Sequence, residues 1–382
     1  MMDYLSASQK IEGNLSEIRK ELHRHPELGN REFYTSDYIE KVLKDLGLDV
    51  VRMLDTALVA TLHGRNTGKK VALRADMDAL PVTEATGCGF ESENPGVMHA
   101  CGHDIHMTSA IGAAMLLARN KDNLEGDVVF LFQPNEEISG GAQRMIAAGA
   151  VDGVGAVFGG HVYPDLPAGT VGVRYGKFYA ASSVYTVKFK GRSCHGATPE
   201  NGADALLAAA ETVLKLKTIK AKSGDKVVVS TGILNAGTAC NIIPGEAVIK
   251  GVIRTLGRDD KQEVEDRFKG IVLETCAGYG VTADIDVRGS YDGVVNTDAE
   301  TALMEKCARE LLGDDRVVVT DEPTMVTEDF GFFVDACSGS FCHIGAGCTE
   351  SLHSPNFIPD IRAAVTAAAL YADTLDNYLK LH

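Results

Sequence analysis

Val128-Val129-Phe130-Leu131-Phe132-Gln133-Pro134-Asn135-Glu136-Glu137 is an apolar run that stops abruptly at an amide, a proline and two acids. An unbroken apolar run of this length reads as a strand buried on both faces, which is the habit of parallel sheets covered by helices. The polar tail then lies at the strand's carboxyl end. The same arrangement recurs on either side. Residues 71–75 form an apolar stretch that delivers Asp76-Met77-Asp78-Ala79-Leu80-Pro81, and residues 155–158 lead into Gly159-Gly160-His161. Between them stands Met98-His99-Ala100-Cys101-Gly102-His103-Asp104-Ile105-His106, followed by an apolar segment to Leu117 that reads as a helix. Asp104 is the expected cap of that helix, which puts Cys101 and His103 in the loop entering it. Helices expected at 3–23 and 35–46, and a strand at 58–62, complete an alternation of strand and helix. An open, largely parallel α/β sheet follows, and such sheets bind ligands along their carboxyl edge.

The texture changes near residue 180. Residues 184–190 alternate like a half-exposed strand, and further strands are expected at 227–231, 247–254 and 281–287, with helices at 204–216 and 259–276. The order strand-helix-strand-strand-helix-strand is that of the split βαβ, ferredoxin-like sandwich. We therefore expect an inserted α+β domain at 182–292 within a discontinuous catalytic domain, 1–181 and 293–382. That division suits a chain of 382 residues. The final segment supplies a helix at 298–312, the stretch Thr327-Glu328-Asp329-Phe330-Gly331, a strand at 341–347, a loop holding His353, and a closing helix at 360–379.

A net charge of −16 disfavours nucleic acid and anionic membranes as partners, because both select clustered Lys and Arg. The nine cysteines are scattered without a Cys-x-x-Cys pair, and the first twenty residues carry acids and no apolar core. These features point to a reducing, cytoplasmic setting with no signal peptide or membrane span.

Taken alone, a Cys-x-His pair is an ordinary buried thiol beside a satisfied imidazole. The convergence of polar clusters on one sheet edge changes that reading. Cys101, His103, Glu137, His161 and His353 are five donors, too many for one tetrahedral ion and suited to two divalent ions. His103 and His161 would serve one ion, Glu137 and His353 the other, with the Cys101 thiolate between them. Such ions lower the pKa of water from about 15.7 to about 7. A thiolate favours zinc, and the remaining donors also accept manganese, cobalt or nickel. Glu136, beside Glu137 but facing the other way, is placed to take the proton of the attacking water and return it to a departing amine.

At these residues the chain resembles the dinuclear metal aminoacylase and carboxypeptidase family, in its amidohydrolase branch of hippurate hydrolase, N-acetyl-diaminopimelate deacetylase and auxin-conjugate hydrolase type. The resemblance rests on HRHPELG from His23, LRADMDALP from Leu73, MHACGHDIHMT from Met98, FQPNEE from Phe132 and GGHVYPDLPAG from Gly159. GRSCHGATPE from Gly191, NIIPG from Asn241 and TEDFGFF from Thr327 continue it in order. It implies a zinc-peptidase-like catalytic domain with an inserted dimerisation or lid domain, the same five metal ligands, and Glu136 as general acid/base. It further implies that His195 helps hold the tetrahedral oxyanion, in its own or a partner subunit, and that Asn241 and Arg254 bind the substrate carboxylate. The peptidase branches place a metal-binding His where this chain has Asp76, so Asp76 and Asp78 are expected to support the site and not to ligate. His23, His25 and His106 are expected in structural or orienting roles.

The resulting expectation is a metal-dependent amidohydrolase, dimeric or larger, that cleaves the amide of a small N-acyl amino acid. A dipeptidase or carboxypeptidase of the same family is the alternative enzyme. A non-catalytic binding protein on this fold is the alternative of another class, disfavoured because a scaffold has no use for Glu136.

Overall fold

The computed structural model describes residues 2–66 and 68–381. It divides into two compact units: Met1–Gly176, Val295–Glu322 and Asp329–His382 form the first, and Lys177–Val294 with Pro323–Glu328 form the second. In chain order the first unit opens with α1 (Tyr4–Lys10), α2 (Glu12–Arg24), α3 (Phe33–Asp45), β1 (Asp49–Met53), β2 (Ala57–Leu62), β3 (Lys70–Asp76), α4 (His103–Ala118) and β4 (Asp127–Gln133). It continues with α5 (Ala142–Ala147), β5 (Ala156–Tyr163) and β6 (Val171–Val173). The next stretch holds β7 (Gly176–Lys190), β8 (Cys194–His195), α6 (Ala205–Leu216), β9 (Val227–Ala236), β10 (Ile242–Ile243), β11 (Glu246–Thr255), α7 (Arg258–Gly278) and β12 (Thr282–Asn296). The chain then returns through α8 (Asp298–Leu312), β13 (Val317–Val319), α9 (Gly331–Ala336), β14 (Ser338–Gly345) and α10 (Arg362–Leu381).

The first unit is built on an eight-stranded sheet of order β1-β2-β4-β3-β5-β14-β6-β13. Its centre, β4-β3-β5-β14, is parallel throughout. Antiparallel pairs join β2 to β4 and β14 to β6 on the flanks. β4 is buried at every position, as its unbroken apolar run requires. Helix α4 is buried at almost every residue too, packed against α2 and α10. Gly112 permits that approach, since a Cβ there would lie 2.8 Å from the Ala368 Cβ.

The second unit carries a four-stranded sheet of order β12-β7-β11-β9, with β11 antiparallel to both neighbours. Tyr185, Val187, Phe189 and Ile249 from the sheet pack with Phe268 of α7 and the alanines of α6. A separate two-stranded ladder pairs β8 with β10.

Several expectations are corrected. The expected first helix is two helices, broken at Ile11, whose backbone (φ −104°, ψ 8°) leaves the helical region. The division of the chain falls at Lys177 and not at 182, which lies inside the continuous strand β7. Residues 323–328, expected with the catalytic domain, group with the second unit: Thr324 N–H donates to the Phe178 carbonyl, and Ala180 N–H to that of Val326. His161 lies within β5 and not beyond its end, because Gly159 and Gly160 continue the strand where Phe330, Phe341 and Tyr371 crowd against them. No helix among the described residues is long and apolar enough to cross a membrane.

Candidate metal centre

The loop into α4 turns at Gly102, whose φ of +84° is left-handed. A Cβ at Gly102 would stand 2.4 Å from Val162 Cγ2, so glycine is required twice over. The turn sets Cys101 just before the helix and makes His103 its first residue. Asp104 is not the cap expected of it. It is fully buried in the first turn, where Oδ2 accepts from Arg19 Nε (2.9 Å) and from His23 Nδ1 (2.9 Å).

All five expected donors, which come from four segments of the first unit, meet at this turn. Cys101 Sγ lies 3.4 Å from His161 Nε2, and Glu137 Oε1 lies 3.5 Å from His353 Nε2 and 3.9 Å from His103 Nε2. Their ligand atoms fall into two compact groups, Cys101/His103/His161 and Cys101/Glu137/His353, each within 4.8 Å and sharing the thiol. The buried histidines are oriented from behind. His103 Nδ1–H donates to the Asp78 carbonyl (2.7 Å) and His161 Nδ1–H to that of Val162 (2.8 Å), which leaves both Nε2 lone pairs facing inward. His353 is half exposed and is held by its own N–H, which donates to the Ala100 carbonyl at 2.8 Å; its φ of +67° is rare for a residue with a Cβ.

Two buried atoms, His103 Nε2 and Glu137 Oε1, have no hydrogen-bond partner. Such orphans are costly unless something else satisfies them. The electrostatics agree. Burial opposes a charge on His103, yet Asp76, Asp78 and Glu137 pull its pKa up to about 10, so the pocket favours a cation. Burial, then Glu137 and Glu136, push the Cys101 thiol well above its usual range, so a nearby cation is what would make it a thiolate. Burial and the neighbouring His106 hold His161 neutral, the form that ligates. The donor set, its tautomers and its orphaned atoms therefore fit a pair of divalent ions.

The surrounding acids hold the backbone and the imidazoles of the site. Asp78 accepts the Glu136 amide on Oδ1 and the Glu137 amide on Oδ2. Asp76 accepts from His106 Nδ1 (2.6 Å) and from Arg74 Nη1 (2.8 Å), while the Val162 amide donates to His106 Nε2 (3.0 Å). Both His106 nitrogens are thereby engaged, and His106 braces β5 beside His161. Burial would raise the Asp76 carboxyl, but Arg74, His103 and His106 hold it well below its usual range. Behind these, Asp329 gathers Arg74 Nη2, Gln133 Nε2 and the amides of Gly141 and Ala142, a role read from sequence only as part of a motif. The signal that could have found it is Arg74, a charge inside an otherwise apolar strand whose burial demands an acid. His25 Nδ1–H donates to the Glu21 carbonyl, on the surface side of α2.

His195, Asn241 and Arg254 belong to the second unit. The β8–β10 ladder brings the first two together: His195 pairs with Ile242, and the Gly196 amide donates to the Asn241 carbonyl (2.8 Å). His195 is exposed, and its Nδ1 accepts from the Ala197 amide, so its proton sits on Nε2. Arg254 lies apart from them on β11 and donates through Nη1 to the Met325 carbonyl at 2.6 Å.

Comparison with known proteins agrees with this geometry. The model of peptidase family M20/M25/M40 matches residues 72–377. The chain is 35% identical over 362 residues to an N-acetyl-L-cysteine deacetylase of Bacillus subtilis (strain 168), covering 94% of this chain and 86% of the relative. It is 36% identical over 383 residues to an N-acetyldiaminopimelate deacetylase of Lactiplantibacillus plantarum, covering 97% and 99%. Among solved structures, a Bacillus subtilis protein described as a dinuclear metal binding peptidase of the M20 family superposes with a TM-score of 0.88 at 33% identity, covering 97% of this chain and 99% of that one.

Proposed function

The chain belongs to peptidase family M20/M25/M40 and is a metal-dependent amide hydrolase, and from that premise we propose that its substrates are N-acyl amino acids, cleaved to a carboxylic acid and a free amino acid. The observation that carries the reading is one buried thiol shared by two donor groups, with the buried Glu136 beside them. Cys101, His103 and His161 would hold one divalent ion, and Cys101, Glu137 and His353 the other. When bound, the ions polarise the scissile carbonyl and make water a nucleophile at neutral pH. The thiol favours zinc over manganese, cobalt or nickel.

The protein's own groups do the rest. Asp78 fixes the backbone of the acid pair, so that Glu137 faces the donors and Glu136 is placed to carry a proton from the attacking water to the leaving nitrogen. His195, of this or a partner subunit, would offer Nε2–H to the developing oxyanion, a contact worth about 2.7–4 kcal/mol. Asn241 and Arg254 take the substrate carboxylate, for which a guanidinium supplies paired donors. The exposed Ile233 and Leu234 on β9, an edge strand, support a homodimer or larger assembly, and nine free cysteines suit a reducing cytoplasm.

The test is a panel of N-acetyl and N-aroyl amino acids and dipeptides, assayed on chelator-stripped protein reloaded with single metals. Hydrolysis of the acylated amino acids is expected to exceed that of dipeptides, and Glu136→Ala should keep its metal while losing turnover by about 10²–10⁴-fold. Preference for dipeptides, or near-normal turnover by Glu136→Ala, would refute the assignment.

A further inference from the structure

Outside the catalytic centre, a second set of ligand-type side chains closes around Glu84. Its Oε1 accepts from His23 Nε2 at 3.1 Å and stands 3.8 Å from Cys88 Sγ, and the three donor atoms lie within 4.8 Å of one another. None of these residues belongs to the five-donor centre. His23 is wholly buried at the end of α2, and Cys88 sits in an irregular loop between Gly87 and Gly89, both left-handed.

Three features point to a cation. The set mixes nitrogen, sulfur and oxygen, as zinc prefers. His23 is backed through Nδ1 by the Asp104 carboxylate at 2.9 Å, the carboxylate–histidine arrangement that raises the basicity of a ligating imidazole. His99 stands beside it, with ring centroids 6.4 Å apart, and neither of its buried ring nitrogens has a partner. Charge balance permits the exchange. Both His23 nitrogens face carboxylates, so the ring is a cation, and Arg19 and His23 together offset Asp104 and Glu84. Replacing the His23 and Cys88 protons by one divalent ion leaves that sum unchanged. We propose that His23, Glu84 and Cys88 form a third divalent-cation site of zinc type, separate from the catalytic pair, which fastens the 84–92 segment to α2. This proposal does not rest on the substrate assigned above.

The experiment uses the full chain, stripped with a chelator and titrated with zinc. Binding of three equivalents is expected, with the third slowing iodoacetamide labelling of Cys88 by tenfold or more while the exposed Cys240 labels at an unchanged rate. Cys88→Ser should bind two equivalents. Cys101→Ser, whose catalytic centre is impaired, should keep the protection of Cys88, which separates this site from that one. Labelling of Cys88 at one rate whatever the zinc, or three equivalents bound by Cys88→Ser, would overturn the proposal and leave the cluster a hydrogen-bonded anchor.

Discussion

Asp78 grips Glu137 by the backbone: its Oδ2 accepts the Glu137 amide at 3.0 Å, while the carbonyl of the same Asp78 accepts from His103 Nδ1–H at 2.7 Å. One residue thus aims two proposed ligands. Asp78→Asn puts an NH₂ against one of two amide N–H groups and should weaken metal affinity by about 10–100-fold, the usual cost of removing such a support. Metal competition against a chromogenic chelator measures it; affinity within twofold of the parent would contradict the role.

Gly102 has no room for a side chain. A methyl at a φ of +84° and 2.4 Å from Val162 Cγ2 cannot be absorbed without moving the turn between Cys101 and His103. Gly102→Ala should therefore lose about 2–4 kcal/mol of stability, from left-handed strain and overpacking together, and bind metal more weakly. Urea unfolding with and without zinc tests both halves.

Removing metal should lower stability by an amount that grows with the logarithm of the free metal concentration over its Kd. A ligand at a hundred times its Kd adds about 2.7 kcal/mol to the folded state. Chelator-treated protein should melt lower and recover with added zinc, whereas Glu137→Ala, stripped of a donor, should gain less. An identical rise in both proteins would dissociate Glu137 from the ions.

Acid stability isolates His343, which burial alone pushes down to about 3 and which stacks on Tyr163 with ring centroids 4.0 Å apart. The folded pKa lies below the unfolded one, so its contribution is intact above about pH 6.5 and is lost as pH falls from there toward 3. His343→Phe keeps the stacking area and cannot charge. Its melting temperature should fall less steeply than the parent's between pH 6.5 and 4; parallel curves would show that the imidazole does not titrate on unfolding.

Much of this was legible in the chain because parallel strands deliver their carboxyl ends to one edge. The apolar runs into Asp76, Glu136 and Glu137 located that edge, and the five donors followed from it. What stayed hidden depended on contacts distant in sequence. Asp104 carries the local signature of a cap, yet Arg19 and His23, some eighty residues earlier, bury it as a counter-ion. His161 looked like a loop residue behind two glycines, which serve instead to admit aromatic rings. The strands β1, β6 and β13 are short or half-exposed and leave little periodicity to read.

Asn296 donates through Nδ2 to the Arg174 carbonyl at 2.9 Å, so the points where the chain departs for residues 177–294 and comes back from them are neighbours in the first unit. A gap that small can be spanned by a few glycines. The scaffold bearing the five donors is thus open to exchange of that whole stretch without rethreading its sheet, and selectivity for one acylated amino acid over another can diversify there while the five donors and Glu136 stay put.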